Sequence, residues 1–127
     1  MFKKESQPIT ISNRILQGTV VRGNIESEGD LRIDGEILGD ITIKGKMVIG
    51  ADGKIVGNIK CASAKIEGKL IGDIEADDAV HLLSQCFVEG NIHTRRLIVE
   101  EGGVFNGSCF MTNEKVSSPQ ESENVSV

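Results

Sequence analysis

One tripeptide returns along most of this chain. Gly23-Asn24-Ile25, Gly39-Asp40-Ile41, Gly57-Asn58-Ile59, Gly72-Asp73-Ile74 and Gly90-Asn91-Ile92 are followed by a degenerate Gly107-Ser108-Cys109. The glycines lie 16, 18, 15, 18 and 17 residues apart, so the period is near 17 and wobbles by one or two. A repeat of this length is one supersecondary unit that cannot bury its apolar face alone and must stack on its neighbours.

Each unit also alternates. Two residues before the key glycine stand Val21, Ile37, Ile55, Leu70, Val88 and Phe105, and two after it Ile25, Ile41, Ile59, Ile74, Ile92 and Cys109. Further steps of two recover Leu31 and Ile33, Met47 and Ile49, Ala64 and Ile66, Val80 and Leu82, and Leu97 and Val99. Four after the glycine comes a smaller set: Ser27, Ile43, Cys61, Ala76, Thr94 and Met111. Alternation in short β-branched segments indicates strands with one buried face. Glycine at this density interrupts any run long enough to nucleate a helix.

Three short strands and glycine corners per 17 residues describe one coil of a β-solenoid, each strand pairing in parallel with its equivalent one coil away. Five intervals between Gly23 and Gly107 then give a rod about 25–30 Å long, at the strand spacing of about 4.8 Å per coil. The Asn and Asp residues after the key glycines should stack in register and bond the local backbone. An antiparallel meander would not return equivalent residues once per 17 positions.

Composition agrees. With four phenylalanines and neither tryptophan nor tyrosine among 127 residues, a conventional core is short of large side chains, but a thin solenoid core needs only aliphatics. The formal net charge of −5, with no basic patch, gives no footprint for nucleic acid. No phosphate-loop or dinucleotide motif occurs, so nucleotide binding has no support.

Nor does a catalytic centre assemble. His81 and His93 are the only histidines and are expected to point outward. Asp77-Asp78 and Glu100-Glu101 read as solvated corners, not as acid/base pairs with separated pKa values. Cys61, Cys86 and Cys109 have inward parity and no metal-ligand spacing, consistent with buried free thiols. No cofactor or metal is expected.

The ends and the outside carry more information. A solenoid exposes unpaired strand edges and an open core at each end, and no capping helix is visible here. Ile15 and Val21 at the start, and Val104, Phe105, Phe110 and Met111 at the finish, are candidate polymerisation residues. Phe105 takes an inward position that smaller aliphatics fill elsewhere; it either plugs the last coil or stacks on a second subunit. Leu38, Val56 and Ile71 directly precede consecutive key glycines and should form an outer apolar ridge, a candidate lateral or partner contact, interrupted by Glu89 and Asn106.

The expected organisation is a flexible leader over residues 1–14, a solenoid domain over 15–111 and a disordered acidic tail over 112–127. Ile9, Ile11 and Ile15 keep the alternate spacing and could form a partial first strand that covers the terminal coil. Met1, Phe2, Lys3 and Lys4 could bring two apolar side chains and two cations to an anionic bilayer, weakly as one copy and firmly as many.

The repeat from about Ile15 to Met111, the polar tails and the Met-Phe-Lys-Lys start resemble the bactofilins, bacterial cytoskeletal proteins. The resemblance implies a right-handed parallel β-helix of about six triangular coils. It also implies non-enzymatic, nucleotide-independent polymerisation through the terminal coils into non-polar filaments. Met1 to Lys4 would be the membrane-targeting start, and Phe105 would support contacts between C-terminal ends. The implied partners are other copies of the chain, the anionic inner face of the cytoplasmic membrane, and cell-wall synthases or hydrolases. The implied location is cytoplasmic, peripheral to that membrane. Two other readings stand beside it: a hexapeptide-repeat acyltransferase, which would hold closely to 18 residues per coil and need a catalytic histidine, and a solenoid adaptor that does not polymerise.

Overall fold

The structure, a computed structural model, describes residues 12–111. Met1 to Lys4, Ile9, Ile11 and the tail from residue 112 lie outside the described residues.

The chain winds through six coils, each laying one strand on each of three faces. The first face stacks β1 (Ser12–Ile15), β4 (Asp30–Ile33), β7 (Lys46–Ile49) and the second halves of β9 (Ile59–Ile66), β11 (Ile74–Leu82) and β13 (Ile92–Val99). The second stacks β2 (Val20–Arg22), β5 (Glu36–Leu38), β8 (Lys54–Val56), β10 (Lys69–Ile71), β12 (Phe87–Glu89) and β14 (Val104–Asn106). The third stacks β3 (Ile25–Ser27), β6 (Ile41–Ile43), the first halves of β9, β11 and β13, and β15 (Cys109–Met111). Every pairing is parallel, and the long strands merge the first and third faces into one nine-stranded sheet. The protein is an all-β parallel solenoid.

Inward rows follow the alternation. On the second face Val21, Ile37, Ile55, Leu70, Val88 and Phe105 are consecutive register partners. On the third, Ile25, Ile41, Ile59, Ile74, Ile92 and Cys109 are. Leu31 through Ile92 close one continuous core, with Ile15, Val21, Ile25, Leu97, Phe105 and Cys109 packed at its two ends. Burial of an aliphatic side chain stabilises by roughly 1.5–3 kcal/mol, so each coil depends on the row above and the row below.

The three corners differ. Between the second and third faces the chain always turns on two residues, glycine and then Asn, Asp or Ser. The six glycines have φ from 138° to 156°, a conformation other residues rarely adopt. From Gly39 onward each also lies against the carbonyl of the glycine one coil earlier, where a Cβ would collide. The wobble arises at the corners flanking the first face. Asp34-Gly35 turns in two residues where Gly50 to Gly53 takes four, and Asp77-Asp78 bulges where Ala62 or Arg95 suffices.

The stacked Asx residues bond differently from expectation. Asn24 Oδ1 accepts the backbone N–H of Asp40 at 3.0 Å, Asp40 that of Asn58 at 3.0 Å, and Asn58 that of Asp73 at 3.0 Å. Asp73 then accepts from Asn91 at 2.9 Å and Asn91 from Ser108 at 3.3 Å. The partner lies in the next coil, not in the local turn, because the side chain extends along the rod axis, toward the coil that follows.

Candidate assembly surfaces

The C-terminal end is an open apolar mouth. Its rim is the second half of β13 with β14 and β15, each paired on one side only among the described residues. Leu97, Val99, Phe105, Cys109 and Met111 point along the inward rows with no coil above them among the described residues. Val99 is 49% exposed, whereas its partner one coil down, Leu82, is fully buried. Phe105 is half-buried against the core.

Val104 and Phe110 belong to this coil but stand on its outer surface. Val104 pairs in register with Phe87, whose ring lies under the Lys69 Nζ at 5.3 Å from its centroid. Phe110 stacks on His93, with ring centroids 4.8 Å apart and planes 18° apart. His81 Nε2 lies 3.2 Å from Glu100 Oε2. Both histidines point outward, as the alternation requires, and both tie the last coil to the one beneath it. That second role leaves no trace in the repeat.

The N-terminal end is different in kind. Ile15, Val21 and Ile25 face inward there, half-buried. Asn13 and Ser27 take the remaining inward positions, beneath Leu31 and Ile43 in register. The Asn13 amide donates to the Ser27 hydroxyl at 3.0 Å, and that hydroxyl also accepts the Gly29 N–H at 3.2 Å. A hydrogen-bonded polar pair therefore covers part of this mouth. On its flank Asp34 holds Arg32 at 2.9 Å and Arg14 at 3.8 Å, joining the first two coils. The alternation carried a signal for Asn13 and Ser27, which fall two residues before Ile15 and two after Ile25.

Leu38, Val56 and Ile71 are aligned register partners on the outer surface of the second face, followed by Glu89 and Asn106 and preceded by Arg22. Val56 is 36% exposed, and Leu38 and Ile71 are half-buried.

Burial pushes all three thiols upward in pKa: Cys61 to about 12, with Asp77 adding to it, and Cys86 and Cys109 in the same direction. Thiols held protonated in this way are poor nucleophiles and poor metal ligands. Among the described residues no group of three His, Cys, Asp or Glu side chains is placed to hold a metal ion.

A parallel solenoid whose strand edges and core are open at its ends among the described residues is the fold of a self-assembling structural protein, since the unsatisfied groups are those a further copy can meet. Comparison with known proteins gives the family. The model of the bactofilins, described as polymer-forming cytoskeletal proteins, matches residues 13–110. The chain is 29% identical over 108 residues to the bactofilin BacO of Myxococcus xanthus, covering 84% of this chain and 86% of that one. It is 36% identical over 95 residues to BacN of the same organism, covering 75% and 84%. The fold matches a crystal structure of the F105R mutant of a bactofilin from Thermus thermophilus, with a TM-score of 0.67 at 25% identity over 71% of this chain and all of that one. This chain belongs to the bactofilin family: it is a polymer-forming cytoskeletal protein and not an enzyme.

Proposed function

We propose that the protein polymerises end to end, without nucleotide, into non-polar filaments held at the inner face of the cytoplasmic membrane, where they localise cell-wall synthases or hydrolases. The observation that carries this reading is the C-terminal mouth, where Leu97, Val99, Phe105, Cys109 and Met111 form an inward row with nothing stacked on it among the described residues. Two mouths of this kind meeting face to face bury apolar surface and pair strand edges. The two ends of the rod can then alternate such contacts indefinitely. Electron microscopy of the purified, nucleotide-free protein tests the polymer: filaments are expected, and a strictly monomeric species at high concentration overturns it.

The membrane part rests on Met1, Phe2, Lys3 and Lys4, which lie outside the described residues. One copy binds weakly, since each lysine near an anionic surface contributes about 1 kcal/mol. A filament presents many copies together. Deleting these four residues should abolish co-sedimentation with anionic liposomes while sparing filaments, and undiminished co-sedimentation overturns the anchor.

A further inference from the structure

One long edge of the rod, formed by the outer surface of the third face and the corner leading into the first, is sorted by charge. The first coil carries Glu26 and Glu28 there, with Asp30 next along the chain; the second carries Lys44 and Lys46, and the third Lys60. The fourth carries Glu75, Asp77 and Asp78, and the fifth Arg95 and Arg96 beside His93. All but Asp30 are exposed. The register of Glu26, Thr42, Lys60, Glu75 and His93 fixes these groups in consecutive coils. The edge therefore reads acid, base, base, acid, base, at steps of about 4.8 Å.

Within the chain these bands satisfy one another little. Among the described residues the ion pair that joins two of them is Arg96 with Asp78, at 3.5 Å and largely exposed. Along the chain, same-sign side chains sit next to one another, as in Asp77-Asp78 and Arg95-Arg96, where mixing would cost the monomer less.

We propose that this edge is the surface on which a second copy of the chain lies alongside, antiparallel, in filaments of the kind set out above. An antiparallel copy centred on the third coil sets the acidic first band against its basic fifth band, and the basic second band against its acidic fourth. Each match occurs twice. The third band lies on the two-fold axis, where the only like charges meet. A parallel copy in register sets like on like throughout, so the banding selects orientation as well as partner. A net charge of −5 would otherwise keep rods apart. Exposed ion pairs are individually weak, so one rod holds another loosely, and a polymer repeating the edge many times holds firmly.

The test reads width separately from length. Filament width is measured by electron microscopy at low and high salt, and side-by-side pairing of short species by sedimentation velocity at low salt. The expected result is bundles at low salt and single filaments of unchanged length at high salt. Reversing the fourth band (Asp77→Lys with Asp78→Lys) or the second (Lys44→Glu with Lys46→Glu) should weaken lateral pairing by about tenfold, the loss of several weak exposed pairs. Combining both reversals exchanges the signs, restores the parental net charge and should restore pairing. Pairing unchanged by either reversal, pairing that merely follows net charge and so rises in the less acidic fourth-band variant, or a combined variant that stays single overturns the proposal. Absence of filaments with salt-dependent pairs intact would count against end-to-end polymerisation and leave the edge supported.

Discussion

The Asp73 carboxylate accepts the backbone N–H of Asn91 at 2.9 Å, so a side chain on the rod's surface holds the main chain of the following coil. Five such bonds run from Asn24 to Ser108, and each fixes the height of one coil over another. Asp73→Ala should lower stability by about 1 kcal/mol, the usual net worth of one exposed hydrogen bond. Asp73→Asn should be close to neutral, because Asn24, Asn58 and Asn91 perform the same task in other coils. Urea unfolding followed by circular dichroism separates the two.

The glycine beside this ladder permits a sharper contrast. Gly72 combines a φ of 142° with a backbone contact to Gly57, whereas Gly23, at 138°, has open space where a Cβ would stand. Gly23→Ala should cost about 1–3 kcal/mol from backbone strain alone. Gly72→Ala should cost more, since it must also push two coils apart. Equal melting temperatures for the two variants would show that the stack is not what requires glycine.

Phe105→Arg should leave the coil folded, because the half-buried position lies at an open end from which an arginine can reach water. It places a charge where two apolar mouths would meet. Short oligomers, chiefly dimers joined through their N-terminal ends, are expected by size-exclusion chromatography with light scattering. Filaments of normal length would remove Phe105 from the contact.

The thiols report the same contact without mutation. Thiolate is the reactive form, and burial raises the pKa of every cysteine here, that of Cys61 to about 12. Near pH 8 Cys61 and Cys86 should resist iodoacetamide in the folded chain, and raising the pH should speed their reaction. Cys109, half-buried on the C-terminal rim, should react first and then become protected as filaments form. Mass spectrometry of the alkylated peptides, with and without Phe105→Arg, reads both effects.

The coil period, the three strands and nearly every inward residue were legible because a solenoid imposes one register on all its coils, and Ile37, Ile55 and Leu70 repeat it without exception. The aligned ridge of Leu38, Val56 and Ile71 followed from the same rule. What the repeat could not display was anything that happens once. Leu97 and Val99 look like two more inward residues, yet they form the top row of the first face because no later strand among the described residues covers them. Val104 and Phe110 share the terminal coil with Phe105 but alternate to its outer surface. The ties of His81 to Glu100 and His93 to Phe110 join residues 19 and 17 positions apart, each pair dictated by the length of the intervening corners. Those corners are where the period wobbles.

The Gly-Asx corner keeps its two-residue length while both other corners stretch and shrink. It therefore works as a ruler: each turn through it advances the rod by one strand spacing, whatever is inserted elsewhere in the coil. Substitutions and insertions at the other corners can remodel the flanks of the rod without altering its height. Adding or deleting one whole Gly-Asx unit would change that height by a single step, so the dimension of the building block is inherited as a whole number.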